Sequence, residues 1–137
     1  MYQPRQAVKS TMMMSMEPQC TPDKFIGTLL HSVTATHMLH LATRSYAQHM
    51  ALGGLYEALG DMIDEVAEVW QGVNTKLLSY ETDQFTVPKD PMEYVCWLAD
   101  FIKTNRSCMG FESQVQNLVD EIAAEVDRCC YKLNFLG

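Results

Sequence analysis

The stretch HMLHLATRSYAQHMALGGLYEALGDMIDEVAE, residues 37–68, decides how this chain is read. It holds three of the four histidines, His37, His40 and His49, and it closes on two carboxylates, Asp64 and Glu68, four positions apart. From His49 onward, Leu52, Tyr56, Leu59, Ile63, Ala67 and Trp70 recur every three or four residues, the period of a helix with one buried face. Upstream, Ile26, Leu29, Leu30, Val33, His37, His40 and Leu41 do the same. Between the two stripes, Ser45-Tyr-Ala-Gln48 fits a capping box, with Ser45 serving the amide of residue 48 and Gln48 reaching back. The spacing therefore predicts two helices joined by a tight turn near Thr43.

Outside this hairpin the signals are of the same kind. Thr21 followed by Pro22 marks the start of the first helix. The second runs to about Gly72, and residues 73–89 lack helical periodicity and read as a long connection. Asp90, Pro91 and Glu93 open a third helix, carried by Tyr94, Trp97, Leu98, Phe101 and Ile102 and stopping near Gly110. A second capping box at Ser113-Gln-Val-Gln116 opens a fourth, along Val115, Leu118, Ile122, Val126, Cys129 and Leu133. No segment alternates long enough to be a strand. The expected fold is all-α: one domain over residues 21–137, preceded by a flexible Met-rich arm over residues 1–20. A long link between the second and third helices suggests a four-helix bundle with a single crossover, the ferritin-like connection; an up-down-up-down bundle is the alternative.

Bulk properties bound the function. A chain of 137 residues with 47% hydrophobic and 20% charged content suits one globular core. A formal net charge of −7 and the absence of a lysine-rich tail argue against nucleic acid as partner. No apolar run reaches membrane-spanning length, and residues 1–20 lack the apolar segment a secretory leader needs, so neither a span nor a leader is expected. Five cysteines without paired spacing read as reduced thiols in a cytoplasmic compartment. There is no nucleophile motif, no glycine-rich phosphate loop and no pair of Glu-x-x-His motifs for a di-iron centre inside the bundle.

Helix geometry then separates the titratable groups. Asp64 and Glu68 share one face and are close enough to ligate one ion. His49 precedes Asp64 by fifteen residues, roughly 22 Å along a helix axis, so the two ends cannot share a metal within one chain. A hairpin near Thr43 brings His37 and His49 toward each other, with His40 on the same face as His37 as ligand, support or packing. Each chain would offer a nitrogen half-site and a carboxylate half-site, and only a twofold-related copy would join them. Against this stands an ordinary reading: paired acids usually form a solvated helix face, and a histidine on an apolar stripe is usually a satisfied core residue. His31 carries no functional reading, and the acids Asp120, Glu121 and Glu125 read as a solvent face.

The arrangement resembles the Dps-type mini-ferritins of the ferritin-like superfamily, and in wording the small phage-encoded Dps-like proteins. The residues that carry the resemblance are His37, His49, Tyr56, Asp64 and Glu68, with Ile-Asp-Glu-Val-Ala-Glu at 63–68. It implies an iron site shared by two chains, with His37 and His49 from one and Asp64 and Glu68 from the other. It also implies oxidation of Fe(II) by peroxide or oxygen, storage of the product, and assembly as a twofold dimer and a twelve-chain cage in the cytoplasm. Zinc, manganese and cobalt are the competing ions for a mixed imidazole and carboxylate set. Tyr56 would pack beside the site or relay an electron. Met38 stands where the family has tryptophan, and the turn Leu-Ala-Thr-Arg-Ser at 41–45 lacks its glycine. Without a turn, one helix from 22 to 72 would hold His37 and His49 about 18 Å apart. The competing function is a non-catalytic structural or interaction protein, such as a virion or accessory component.

Overall fold

Thr21 accepts the amide of Lys24 on its hydroxyl, and Pro22 supplies the fixed φ of a first helical residue. Together they start α1, Pro22–Ala42, in the computed structural model, which describes residues 20–80, 86 and 88–137. Three more helices follow: α2, Tyr46–Asn74; α3, Pro91–Asn105; and α4, Ser113–Phe135. A short 3-10 turn, Arg106–Met109, extends α3. Among the described residues there is no strand, so the all-α class holds. The arm expected over residues 1–20 lies, except for Cys20, outside the described residues, as do residues 81–85 and 87 of the link.

Packing pairs α1 with α2, α2 with α4, and α4 with α3, with α1 and α3 meeting more sparsely. Their relative directions follow from single contacts. The Cys129 thiol, near the end of α4, reaches the carbonyl of Ala51 near the start of α2. Cys96, early in α3, meets Cys130, late in α4. Phe25, early in α1, stacks on Phe101, late in α3, with ring centroids 5.6 Å apart. Each of these neighbouring pairs is antiparallel. The centre is filled by Phe25, Ile26, Leu29, Leu52, Leu59, Ile63, Val95, Leu98, Val119 and Ile122, all fully buried. At about 1.5–3 kcal/mol for each large apolar side chain, this burial is the main force holding the bundle.

The face that α1 turns inward differs from the one its apolar residues suggest. Phe25, Ile26, Leu29, Ser32, Ala35, Thr36 and Leu39 are buried, while Leu30, His37 and Leu41 face outward. Two hydroxyls make this possible. Ser32 donates to the carbonyl of Leu29 at 2.6 Å, and Thr36 donates to that of Ser32 at 2.7 Å. A buried serine or threonine satisfied within its own helix costs little and leaves room for a neighbour's leucines.

Caps and turns show where sequence signals were spent differently. Asp90 caps α3 through the amide of Met92, as expected. Glu112, not Ser113, is the N-cap of α4, so Ser113 lies one residue too far in for the expected capping box. Gln116 is then free for another task. Its amide donates to the carbonyls of Arg106 and Gly110, and its oxygen accepts from Arg106 Nε, which binds the α3–α4 turn to α4. Gly110, at φ 87, adopts the left-handed backbone this turn requires. At the far end Thr75 ends α2, and the link folds back: Leu78 is buried, and the Ser79 amide donates to Asp23 of α1 at 2.6 Å.

Replacing Gln116 with alanine strips the Arg106 and Gly110 carbonyls of their side-chain donor and removes one acceptor from the Arg106 guanidinium, which keeps Asp120 and the main-chain carbonyl of residue 116. Equilibrium urea denaturation should show Gln116→Ala destabilised by about 1–3 kcal/mol. Gln114→Ala, on the exposed face two residues earlier, should shift by less than about 0.5 kcal/mol.

Candidate metal half-sites at the two ends of α2

The turn between α1 and α2 is three residues long, Thr43 to Ser45, and both ends are extended, with ψ of 148 and 121. Ser45 caps α2 by accepting the Gln48 amide at 3.3 Å. The other half of the expected capping box is absent. Gln48 Oε1 instead accepts the Thr43 hydroxyl at 2.5 Å, and the Ser45 amide donates to that same hydroxyl. Thr43 thus does the work expected of a glycine in this turn: its side chain locks the reversal. The single straight helix over 22–72 is ruled out.

Because the turn is so short, the imidazole opposite His49 is that of His40, not His37. The two rings stack with centroids 3.7 Å apart and planes within 21°. Each ring also binds the other residue's main chain. His40 Nδ1 lies 2.7 Å from the carbonyl of His49, and His49 Nδ1 lies 2.9 Å from that of His40. A carbonyl only accepts, so both Nδ1 atoms carry hydrogen, and in each neutral ring Nε2 holds the lone pair. The His40 carbonyl is among the last four of α1, which have no partner within their own helix, so His49 also finishes that helix end. His37 belongs to a second stack, on Tyr56, at 4.1 Å and 10°. Tyr56 meets His40 edge-on at 5.2 Å, so the four rings form one continuous cluster. His37 is exposed; the other three are half-buried.

Gly53 is what admits His40. A Cβ at residue 53 would stand 3.1 Å from His40 Cε1 and 3.2 Å from its Nδ1, and that ring is held by the stack and by a hydrogen bond. At Gly72, near the other end of α2, nothing lies within 4 Å.

The carboxylates are elsewhere. Asp64 and Glu68 are exposed one turn apart on α2, and neither joins an ion pair among the described residues. Their surroundings are acidic and aromatic. Burial raises the Tyr80 phenol above its usual range, and the nearby Asp23 and Asp64 carboxylates raise it further. Asp23, next after Pro22 in the first turn of α1, and Tyr80, in the link after α2, are members of this end that periodicity alone does not single out. Among the described residues no three metal-ligating side chains of one chain, the three clustered histidines included, are placed to hold one ion. His31 lies apart, beside a cleft of about 410 Å³ that it lines with Tyr94 and Trp97. Asp120 pairs with Arg106 and Glu125 with Arg128, so the acids of α4 form no second cluster.

The family of unknown function DUF5856 matches residues 40–133, more than half of the chain. The chain belongs to this family. The matched region takes in His40, His49, Tyr56, Asp64, Glu68 and the whole of α2, α3 and the 3-10 turn, and leaves His37 just outside. No curated protein and no solved structure matches the chain.

Gly53→Ala and Gly72→Ala form a matched pair of tests. The second should raise stability by roughly 0.5–1 kcal/mol through helix propensity. The first should gain nothing and should displace the His40 ring, seen as loss of upfield-shifted imidazole signals in the proton NMR spectrum.

Proposed function

We propose that this is a ferritin-like helical bundle that binds Fe(II) between two copies of the chain and passes its electron to peroxide or oxygen. Histidines of one copy and acids of the other would form the site. The observation that carries this reading is the division of ligands along α2. At one end, the Nδ1 hydrogens of His40 and His49 are committed to carbonyls, which fixes both rings and leaves Nε2 as the ligand atom, the usual arrangement behind a metal-bound imidazole. At the other end, roughly 22 Å away, Asp64 and Glu68 are exposed and form no ion pair among the described residues. Asp64 lies within about 60° of His49 around the helix, so two α2 helices laid antiparallel would bring unlike ends together twice. Gly60 is near the midpoint of that face, with open space where a Cβ would stand.

The residues assigned to the site are His37 and His49 with Asp64 and Glu68. His40 acts either as a further ligand or as the support that orients His49, and Tyr56 as the ring on which His37 rests. A mixed imidazole and carboxylate set suits iron, with zinc and manganese as substitutes. The single-crossover connection is supported by the contacts of α4, which runs antiparallel to both α2 and α3. A larger shell of twelve copies is the further expectation of the family resemblance.

A second reading is favoured by one specific observation. The turn end carries exposed apolar side chains, with Leu41 at 70%, Tyr46 at 77%, Met50 at 55% and Met38 at 50% exposure. These would serve a structural or interaction protein as well as a metal-binding dimer.

Complementation separates the two. One variant would carry His37→Ala and His49→Asn, the asparagine keeping a donor for the His40 carbonyl; the other would carry Asp64→Asn and Glu68→Gln. Co(II), a spectroscopic stand-in for Fe(II), should give no saturable visible absorption with either variant alone. Co-refolded in equal amounts, half the dimers are mixed and each regains one intact site, so about a quarter of the wild-type signal should return. A mixture as silent as its components, or full binding by either variant alone, would overturn the shared site.

A further inference from the structure

The five cysteines are all free thiols, and four of them stand in pairs that join different elements. Cys20, just before α1, donates its thiol to the Thr21 carbonyl and lies near Cys108 of the 3-10 turn. Cys96, in the second turn of α3, faces Cys130 of α4 with their sulfurs 4.0 Å apart. Cys129, next along the chain, points the other way and reaches the carbonyl of Ala51 on α2 at 3.5 Å. Successive residues of a helix are turned by about 100°, so the neighbouring thiols Cys129 and Cys130 serve different interfaces.

We propose that Cys96 and Cys130 are a site of reversible disulfide formation that staples α3 to α4 when the protein meets a two-electron oxidant such as a peroxide. Each thiol gives up its proton, the two sulfurs bond, and the electron pair cleaves the O–O bond of the peroxide, which leaves as water. The sulfurs need to close from 4.0 Å to about 2.05 Å, a movement within reach of small side-chain rotations on helices that already lie side by side. The other end of the α3–α4 pair is already tied by Gln116 and by the Arg106–Asp120 ion pair. Between α3 itself and α4, the described hydrogen bonds offer only the thiol contact, so a covalent bond here adds what that end lacks.

Burial pushes the Cys130 thiol up to about 12 and also the Cys129 and Cys108 thiols. The Cys130 thiol is therefore protonated at neutral pH, and its oxidation is slow beside that of an exposed, activated cysteine. The bridge would close a loop of about 35 residues in the unfolded chain and should raise the midpoint of thermal unfolding by roughly 10 °C.

The test uses the full-length protein, treated with diamide and mapped by mass spectrometry of non-reduced peptides. The expected result is a Cys96–Cys130 linkage with the loss of two hydrogens, retained in Cys129→Ser, lost in Cys96→Ser, and reversed by dithiothreitol together with the rise in melting temperature. No internal linkage after prolonged treatment overturns the proposal, as does a map containing only Cys20–Cys108, Cys129–Cys130 or bonds between chains. The map is read on the wild-type chain, so it stands even if Cys96→Ser fails to fold.

Discussion

The structure depends on a clasp in which two histidines each hold the other's backbone. His40 sits in the last turn of α1 and His49 in the first turn of α2, and each ring donates to the other's carbonyl while the rings stack. A three-residue turn closed by the Thr43 hydroxyl leaves no slack in this register. The same register decides that His37 falls opposite Tyr56, and that Gly53 must lack a side chain. Chain reversal, ring orientation and hydrogen placement are thus one problem with one solution, at half-buried positions where hydrogen bonds to fixed carbonyls hold a ring firmly.

The clasp gives the histidines two roles that do not compete. As structure, they finish the end of α1 and tie it to α2. In the proposed site they would offer a metal the one nitrogen the clasp does not use. A satisfied pair of histidines is the ordinary explanation for such an arrangement, and it accounts for both Nδ1 bonds completely. It does not account for His37, exposed on Tyr56 beside them, or for Asp64 and Glu68, which form no ion pair among the described residues at the other end of the same helix. The proposal of a shared metal site rests on that remainder, and on the family resemblance carried by the spacing of these five residues.

Much of the fold was legible in the sequence because its signals are local. Thr21-Pro22 and Asp90-Pro91 start helices where expected, and Ser45 caps α2. What escaped was tertiary. The inward face of α1 is turned by about one residue from its apolar stripe, because Ser32 and Thr36 satisfy their hydroxyls within the helix and pass as core. The Gln116 of the second apparent capping box is used across the turn, a role set by where the chain from Gly110 leads. At the site, the residue types were legible but their pairing was not: His37 and His40 differ by one turn, and only the turn geometry decides which meets His49. Membership in a family of unknown function, matched over residues 40–133, adds no chemistry to these residues. Among the described residues no helix is long and apolar enough to cross a membrane.

The central claim is that imidazoles and carboxylates separated along one helix meet only across two copies. An anomalous-scattering map from crystals grown with Co(II) examines it atom by atom. The account predicts a peak bounded by ring nitrogens from the His37, His40 and His49 cluster of one protomer and by Asp64 and Glu68 of a twofold-related partner. A peak held by one chain alone, or crystals in which every histidine cluster lies far from every neighbour's Asp64, would contradict it.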